Sequence, residues 1–253
     1  RAKITWSTPQ TGANGGWIDA SALTYKITRL PDSIVVAETT TGNEYIDNSI
    51  TKLNIYSYQI QAITPDGAGP TATTDRLVMG PALTVPYRCN FATDDQFALW
   101  NVIDANNDEY TWKRETTLAA AYYYYNEDGE TGGDDWLVSS PIHLEKNKIY
   151  RLKFKLQSYD VGYPEKVAVH LGTGASVAEQ TTLLGDYEVE SNTFVEYKVI
   201  LPERLESGNY HISFHCHSEP YMFILYVTDV LLEEVSEGVL SGVVTNGQTP
   251  LEG

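Results

Sequence analysis

Five oxygen-bearing side chains crowd one short stretch, Asp104-Ala105-Asn106-Asn107-Asp108-Glu109. Asp104, Asn106 and Asp108 alternate, so a curled loop can turn them onto a hard cation such as calcium. The stretch lacks the glycine and the distant bidentate glutamate of an EF-hand loop, and the same residue types serve equally in Asx turns. Asp134-Asp135 follow a glycine-rich approach, Gly129–Gly133. They can position Trp136 through hydrogen bonds, or contribute a ligand to the same ion. Four consecutive tyrosines, Tyr122, Tyr123, Tyr124 and Tyr125, would place two rings on each face of a strand. One pair then belongs to a core, and the other offers a stacking surface for sugars. Tyr159, Tyr163 and Tyr221 lie in turn-like segments that can join that surface.

Catalytic patterns are weaker. His211, Ser213, His215 and His217 share one strand face, and three imidazoles can hold zinc. The plainer alternative, a solvated strand face, is the expectation adopted. Cys216 points the other way, against a Cys–His nucleophile pair. The chain has no Gly-x-Ser-x-Gly elbow, His-Glu-x-x-His helix or phosphate-binding glycine loop. A jelly-roll glycosidase needs two carboxylates about 5–10 Å apart across a cleft. Glu188, Glu190 and Glu196 do not form the same-face Glu-x-Asp-x-Glu pattern such enzymes often carry. No enzyme activity is expected.

The elements that must position these groups read as strands. Tyr25–Leu30, Ile55–Ile63, Ile149–Leu156, Lys166–Leu171 and Tyr210–Cys216 alternate apolar and polar residues and end at turn residues. Period-two alternation with one solvated face implies antiparallel sheets, and few windows show helical periodicity. The fold class is all-β. Of 253 residues, 42% are hydrophobic, enough for packed cores. The formal charge of −17 argues against nucleic acid and anionic membranes. No run approaches the ~18–20 apolar residues of a membrane helix. The start, Arg1 to Trp6, is not a signal peptide, which suggests a mature protein or an excised fragment. Cys89 and Cys216 each share a strand face with a phenylalanine two residues away. They can form one long-range disulfide or remain two buried thiols.

Met79-Gly80-Pro81 is the expected boundary between a domain over 1–80 and one over 81–235, and Ser236-Glu237-Gly238 is a second break. Residues 1–80 resemble a fibronectin type III domain through Ile4-Thr5-Trp6 with Pro9, Leu23–Ile27, Leu53–Ala62 and Asp66-Gly67-Ala68-Gly69-Pro70. Trp6 can fill the space between two sheets, and Tyr56 is the candidate for a hydroxyl-closed corner. Only five residues precede Trp6, so the family's first strand is expected outside the sequence, leaving an open sheet edge. The resemblance implies a spacer.

Residues 84–235 resemble the jelly-roll modules called cleaved adhesin or choice-of-anchor J domains, distantly similar to MAM domains. The matching residues are Cys89-Asn90-Phe91, Trp100–Asp108 with Trp112, Asp134–Pro141, Leu152–Phe154 and Tyr221–Phe223. The resemblance implies calcium near the start of the jelly roll, although Ala92 and Thr228 stand where relatives often have acids. Trp100, Trp112 and Trp136 are expected to pack in the core. Ser241–Val244 and Thr249–Gly253, in 236–253, resemble the start of a further β-sandwich, a C-terminal strand stub. Such strings of modules imply a secreted or cell-surface bacterial protein with further domains in the same polypeptide. The expected function is non-catalytic adhesion or ligand binding, with carbohydrate or host glycoprotein as partner. The alternatives are a purely architectural spacer and a jelly-roll glycosidase.

Overall fold

The structure is a computed structural model that describes residues 1–125 and 131–235. The expectations placed on Gly129, Glu130 and the tail 236–253, the strand stub included, lie outside the described residues. The smaller unit contains β1 (Ala2–Thr5), β2 (Thr24–Leu30), β3 (Ile34–Thr40), β4 (Glu44–Asp47), β5 (Asn54–Thr64), β6 (Gly67–Thr73) and β7 (Leu77–Met79). β1 and β4 pair antiparallel, and the other sheet runs β3-β2-β5-β6, with β7 continuing alongside β5. β6 and β7 are separated by a break at Thr74–Arg76.

Alternation does the folding here. Tyr25 and Ile27 on β2 and Tyr58 and Ile60 on β5 face Ala2 and Ile4 on β1 in one small core. Trp6 packs at its margin with its ring 5.0 Å from Tyr25. Tyr56 closes the corner as read from the sequence, its hydroxyl donating to the Lys52 carbonyl at 3.0 Å. The same core holds an ion network that alternation alone does not reveal. Arg29, 4% exposed, donates to Asp47 Oδ2 at 2.9 Å and grips Asp32 through Nη2 at 2.7 Å. Burial pushes the Asp47 carboxyl up, but hydrogen bonds from Ser49, Tyr58 and Arg29 outweigh it and hold the group below its usual range. A buried charge is tolerated only with such complete satisfaction.

The larger unit adds β8 (Leu83–Thr84), β9 (Tyr87–Cys89), the helix α1 (Asp94–Ala98), β10 (Asn101–Asp104), β11 (Lys113–Glu115), β12 (Ala120–Tyr124), β13 (Asp135–Val138) and β14 (Ile142–Leu144). It continues with β15 (Ile149–Ser158), β16 (Glu165–Gly172), β17 (Thr182–Val189), β18 (Val195–Ile200), β19 (Gly208–Cys216) and β20 (Ile224–Val235). One sheet is centred on β19, flanked by β13 and β14 on one side and β16 with β17 on the other; β10 pairs β13, and β8 pairs β14. The second sheet runs β11-β12-β20-β15-β18, with β9 beside the far half of β20. Their inner faces bury Leu137, Val169, Phe214, Leu152, Phe154 and Val227 in a core that shares no residue with the smaller one. The α1 turn went unread, yet its cap is in the sequence. Thr93 accepts from the Gln96 N–H at 3.2 Å, and Gln96 reaches back to the Ala92 N–H at 2.8 Å.

Of the two readings open for the cysteines the structure takes the thiols, and the expectation for Trp136 needs correction. Cys89 and Cys216 form no disulfide; both are buried free thiols. Cys216 sits 3.4 Å from Ser218 Oγ, whereas Cys89 lies with Tyr87 and Trp100, so the sulfurs occupy different parts of the core. Trp136 is buried, but on the outer face of its sheet, stacked on His215 at 4.0 Å with an interplanar angle of 8°. Trp100 and Trp112 do lie in the inner core.

Candidate binding site

β12 splits the tyrosine run. Tyr123 faces inward and is 1% exposed, while Tyr122 and Tyr124 face outward. Tyr122 pairs across the ladder with Tyr226, ring centroids 6.3 Å apart. Tyr124 and Tyr125 turn to Phe223, at 5.5 and 5.6 Å. From the other side, the 159–164 loop brings Tyr159 to 4.6 Å and Tyr163 to 6.2 Å from the same ring. Tyr159 is 54% and Tyr163 47% exposed, and neighbouring Tyr221 is 61% exposed. Phe223 is therefore the hub of an aromatic cluster at one end of the larger sandwich. Of the seven tyrosines nominated from the sequence, Tyr124, Tyr125, Tyr159 and Tyr163 meet there, and Tyr221 stands two residues from Phe223. Tyr122 lies farther along the strand and Tyr123 is core; Tyr125, expected on the core face with Tyr123, turns to Phe223 because β12 ends at Tyr124.

The cluster is tied down from beneath. Glu165, wholly buried at the start of β16, accepts from Ser218 Oγ at 2.5 Å. It so links the 159–164 loop to the 217–223 loop. Burial pushes its carboxyl up to about 7, and Oε1 has no partner. No sequence signal marked Glu165, because its partner Ser218 lies more than fifty residues away.

The oxygen-rich loop follows its Asx-turn alternative. Asp104 accepts the backbone N–H groups of Asp108 and Glu109 at 3.2 and 2.9 Å, and Asp108 accepts that of Tyr110 at 2.9 Å. Asn106 donates to the Gly132 carbonyl at 3.1 Å. Asp134 takes the positioning role, accepting from Trp136 Nε1 at 3.3 Å and lying 2.8 Å from His215 Nε2. Asp135, the second acid of the pair nominated with Asp134, stands directly opposite Asp104 in the ladder. Burial, with Asp104 and Asp108 nearby, pushes it up to about 7. Its Oδ1 and the Asn106 Oδ1 are buried without hydrogen-bond partners. That donor chemistry suits a hard cation, although no three His, Cys, Asp or Glu side chains among the described residues are arranged to hold a metal.

The histidine face is more ordered than the solvated strand expected. His217 Nε2 lies 2.8 Å from Asp186, His211 Nδ1 2.6 Å from the Ser139 carbonyl, and His170 joins from β16. Burial pushes His170 and His215 down, favouring neutral imidazoles at neutral pH. The carboxyls with raised values, Asp135 and Glu165, are both fully buried. Glu188 on β17 and Glu196 on β18 belong to different sheets.

No protein-family model and no curated protein matches the chain. Among solved structures, it is similar to the K1 cleaved adhesin domain of Lys-gingipain from Porphyromonas gingivalis. That match has a TM-score of 0.50 and 20% identity, covering 60% of this chain and 99% of that domain. The larger unit has a cleaved-adhesin-like fold. The K3 cleaved adhesin domain of the same protein matches with a TM-score of 0.47 and 19% identity, over 58% of this chain and 96% of that domain. The C-terminal family 6 carbohydrate-binding module of a Zobellia galactanivorans laminarinase matches at 0.34 and 11%, over 53% and 98%. No described helix is long and apolar enough to cross a membrane.

Proposed function

We propose that the chain is a non-catalytic adhesion or ligand-binding piece of a secreted or surface-exposed bacterial protein, with carbohydrate or glycoprotein as its partner. The observation that carries this is the cluster around Phe223. Exposed Tyr159 and Tyr163 from one loop and half-buried Tyr124 and Tyr125 from a strand end converge there, and sugars bind through apolar ring faces plus hydrogen bonds. The larger unit shares its fold with a domain named as an adhesin. The non-catalytic reading is supported by the seclusion of the raised carboxyls, since a glycosidase acid must reach its substrate. The smaller unit is proposed as a fibronectin type III-like spacer, with the boundary at Met79–Pro81.

A glycan and host-glycoprotein array, run in calcium and in chelator, tests the reading. The chain should give reproducible hits, and Tyr159→Ala and Tyr163→Ala should each weaken them about three- to tenfold at unchanged melting temperature. A blank array in both buffers overturns it in favour of the architectural role.

Calcium is proposed at the Asp104–Asp135 rung, with Asn106 beside it. The support is the facing of two carboxylates and the two unpartnered oxygens. The melting temperature should rise in millimolar calcium over chelator. Asp135→Asn, which relieves the repulsion itself, should melt higher in chelator and gain nothing from calcium. No rise for the unaltered chain counts against the ion.

A further inference from the structure

The outer face of the β12–β20–β15–β18 sheet carries a second surface, away from Phe223. Arg88 on β9 faces Leu231 on β20, Leu231 faces Lys153 on β15, and Lys153 faces Lys198 on β18. Three cations therefore lie on one rung, two of them directly opposite each other, an arrangement that repels without a counter-anion. Over the outward positions of these four strands, Arg88, Arg151, Lys153, Lys155 and Lys198 stand against Glu196, Asp229 and Glu233. Five minus three leaves +2 on this face of a chain whose formal charge is −17.

The acids present are already engaged. Glu233 binds Arg151 at 2.6 Å and Lys153 at 2.9 Å, Asp229 binds Lys155 at 2.8 Å, and Glu196 binds Lys198 at 3.0 Å. Lys153 and Arg151 hold Glu233 down to about 2. Arg88 is exposed and forms no ion pair with any described residue. A cavity of about 650 Å³ opens over this rung, lined by Arg88, Asn90, Gln96, Lys153, Lys155 and Glu196 among others. Its size falls within the ~300–1,000 Å³ of ordinary ligand sites. The side-chain oxygens of Asn90 and Gln96 both accept the Ala92 N–H, at 3.2 and 2.8 Å, which leaves their amide N–H groups as donors. β20 bulges at this point: its register shifts between Lys153 and Lys155, and Asp229 takes φ +50. Such a bulge re-aims a side chain, here the Asp229 carboxylate beside the cavity.

We propose that this groove binds an acidic saccharide, with the sugar carboxylate on Arg88 and the ring hydroxyls on the ion-paired side chains around it. A guanidinium without a partner is matched in shape and charge to a carboxylate. A polyol needs acceptors as well as donors, and Glu196, Asp229 and Glu233 supply them between the cations. The same acids disfavour a polyphosphate backbone, which needs uninterrupted positive charge. The proposal rests on the glycan-binding reading and names a ligand class and a second subsite for it.

Calorimetric titration of the whole chain with trigalacturonate and with 3′-sialyllactose, each against its neutral counterpart, tests it. At least one acidic sugar should bind about tenfold or more tightly than its counterpart, with affinity falling as salt rises. Arg88→Gln should cost about tenfold, the scale of one charge-assisted contact. Lys146→Gln, which removes an equal charge from an ion pair elsewhere, should leave affinity unchanged. Equal binding of acidic and neutral sugars, an indifferent Arg88→Gln, or no acidic binding overturns the proposal. Neutral binding that is lost in Tyr159→Ala but kept in Arg88→Gln overturns it while leaving the aromatic site standing. Acidic binding lost in Arg88→Gln but kept in Tyr159→Ala removes the Phe223 cluster instead.

Discussion

Asp135 and Glu165 are fully buried, and each has one oxygen without a partner. Burial raises both to about 7, from ordinary values of 3.8 and 4.5. Between those limits the folded chain holds protons that the unfolded chain has lost. Stability therefore falls as pH rises from about 4 through 7 and levels off above it. Each group contributes on the order of 2–4 kcal/mol to that fall. Urea unfolding in chelator should give a higher midpoint at pH 5 than at pH 8. Asp135→Asn should raise the pH 8 midpoint and flatten the profile; an unchanged profile would show that Asp135 ionises without penalty. At this scale the sequence was partly legible. The run Tyr122–Tyr125 announces a two-faced strand, but nothing local says that Phe223 is what the outer rings meet. Asp135 was seen as an acid near a strand, while its opposition to Asp104 depends on the pairing of β10 with β13.

At the scale of elements, the strands were the most readable feature, because period-two alternation is a property of the chain itself. β2, β5, β15, β16 and β19 fall where alternation puts them. The breaks between elements follow backbone needs. Gly80, between β7 and β8, has φ +146, and a Cβ there would lie 2.5 Å from Leu53 Cα and the Lys52 carbonyl. Gly80→Ala thus combines a disallowed backbone with a clash against main chain that cannot swing aside. It should cost about 2–4 kcal/mol, measured by denaturant unfolding. A loss under half a kcal/mol would mean that the junction relaxes freely. β13 and β14 both pair with β19, on either side of a break at Ser139–Pro141.

For the whole molecule, the two hydrophobic cores share no residue, and the larger one holds most of the buried apolar side chains. Cores that do not interpenetrate need not unfold together. Calorimetry should show two transitions. Ile27→Ala, which empties a fully buried site in the small core, should lower one by about 2–5 kcal/mol of stability and leave the other in place. A single cooperative transition shifted by that change would mean that the two units fold as one.

By itself the sequence determined the all-β class, the positions of β2, β5, β15, β16 and β19, the corner at Tyr56 and the opposite facing of Tyr123 from Tyr122 and Tyr124. These are local matters of alternation, turn residues and backbone permission, which act within a few residues. The tertiary structure alone decided which strands are neighbours, and hence everything built across a ladder. It gathered Tyr124, Tyr125, Tyr159 and Tyr163 on Phe223, set Asp104 against Asp135, and aligned Arg88, Lys153 and Lys198 on one rung. It also kept Cys89 and Cys216 apart. Pairing across a sheet depends on burying both inner faces at once, a condition on the whole chain that no single stretch of residues can express.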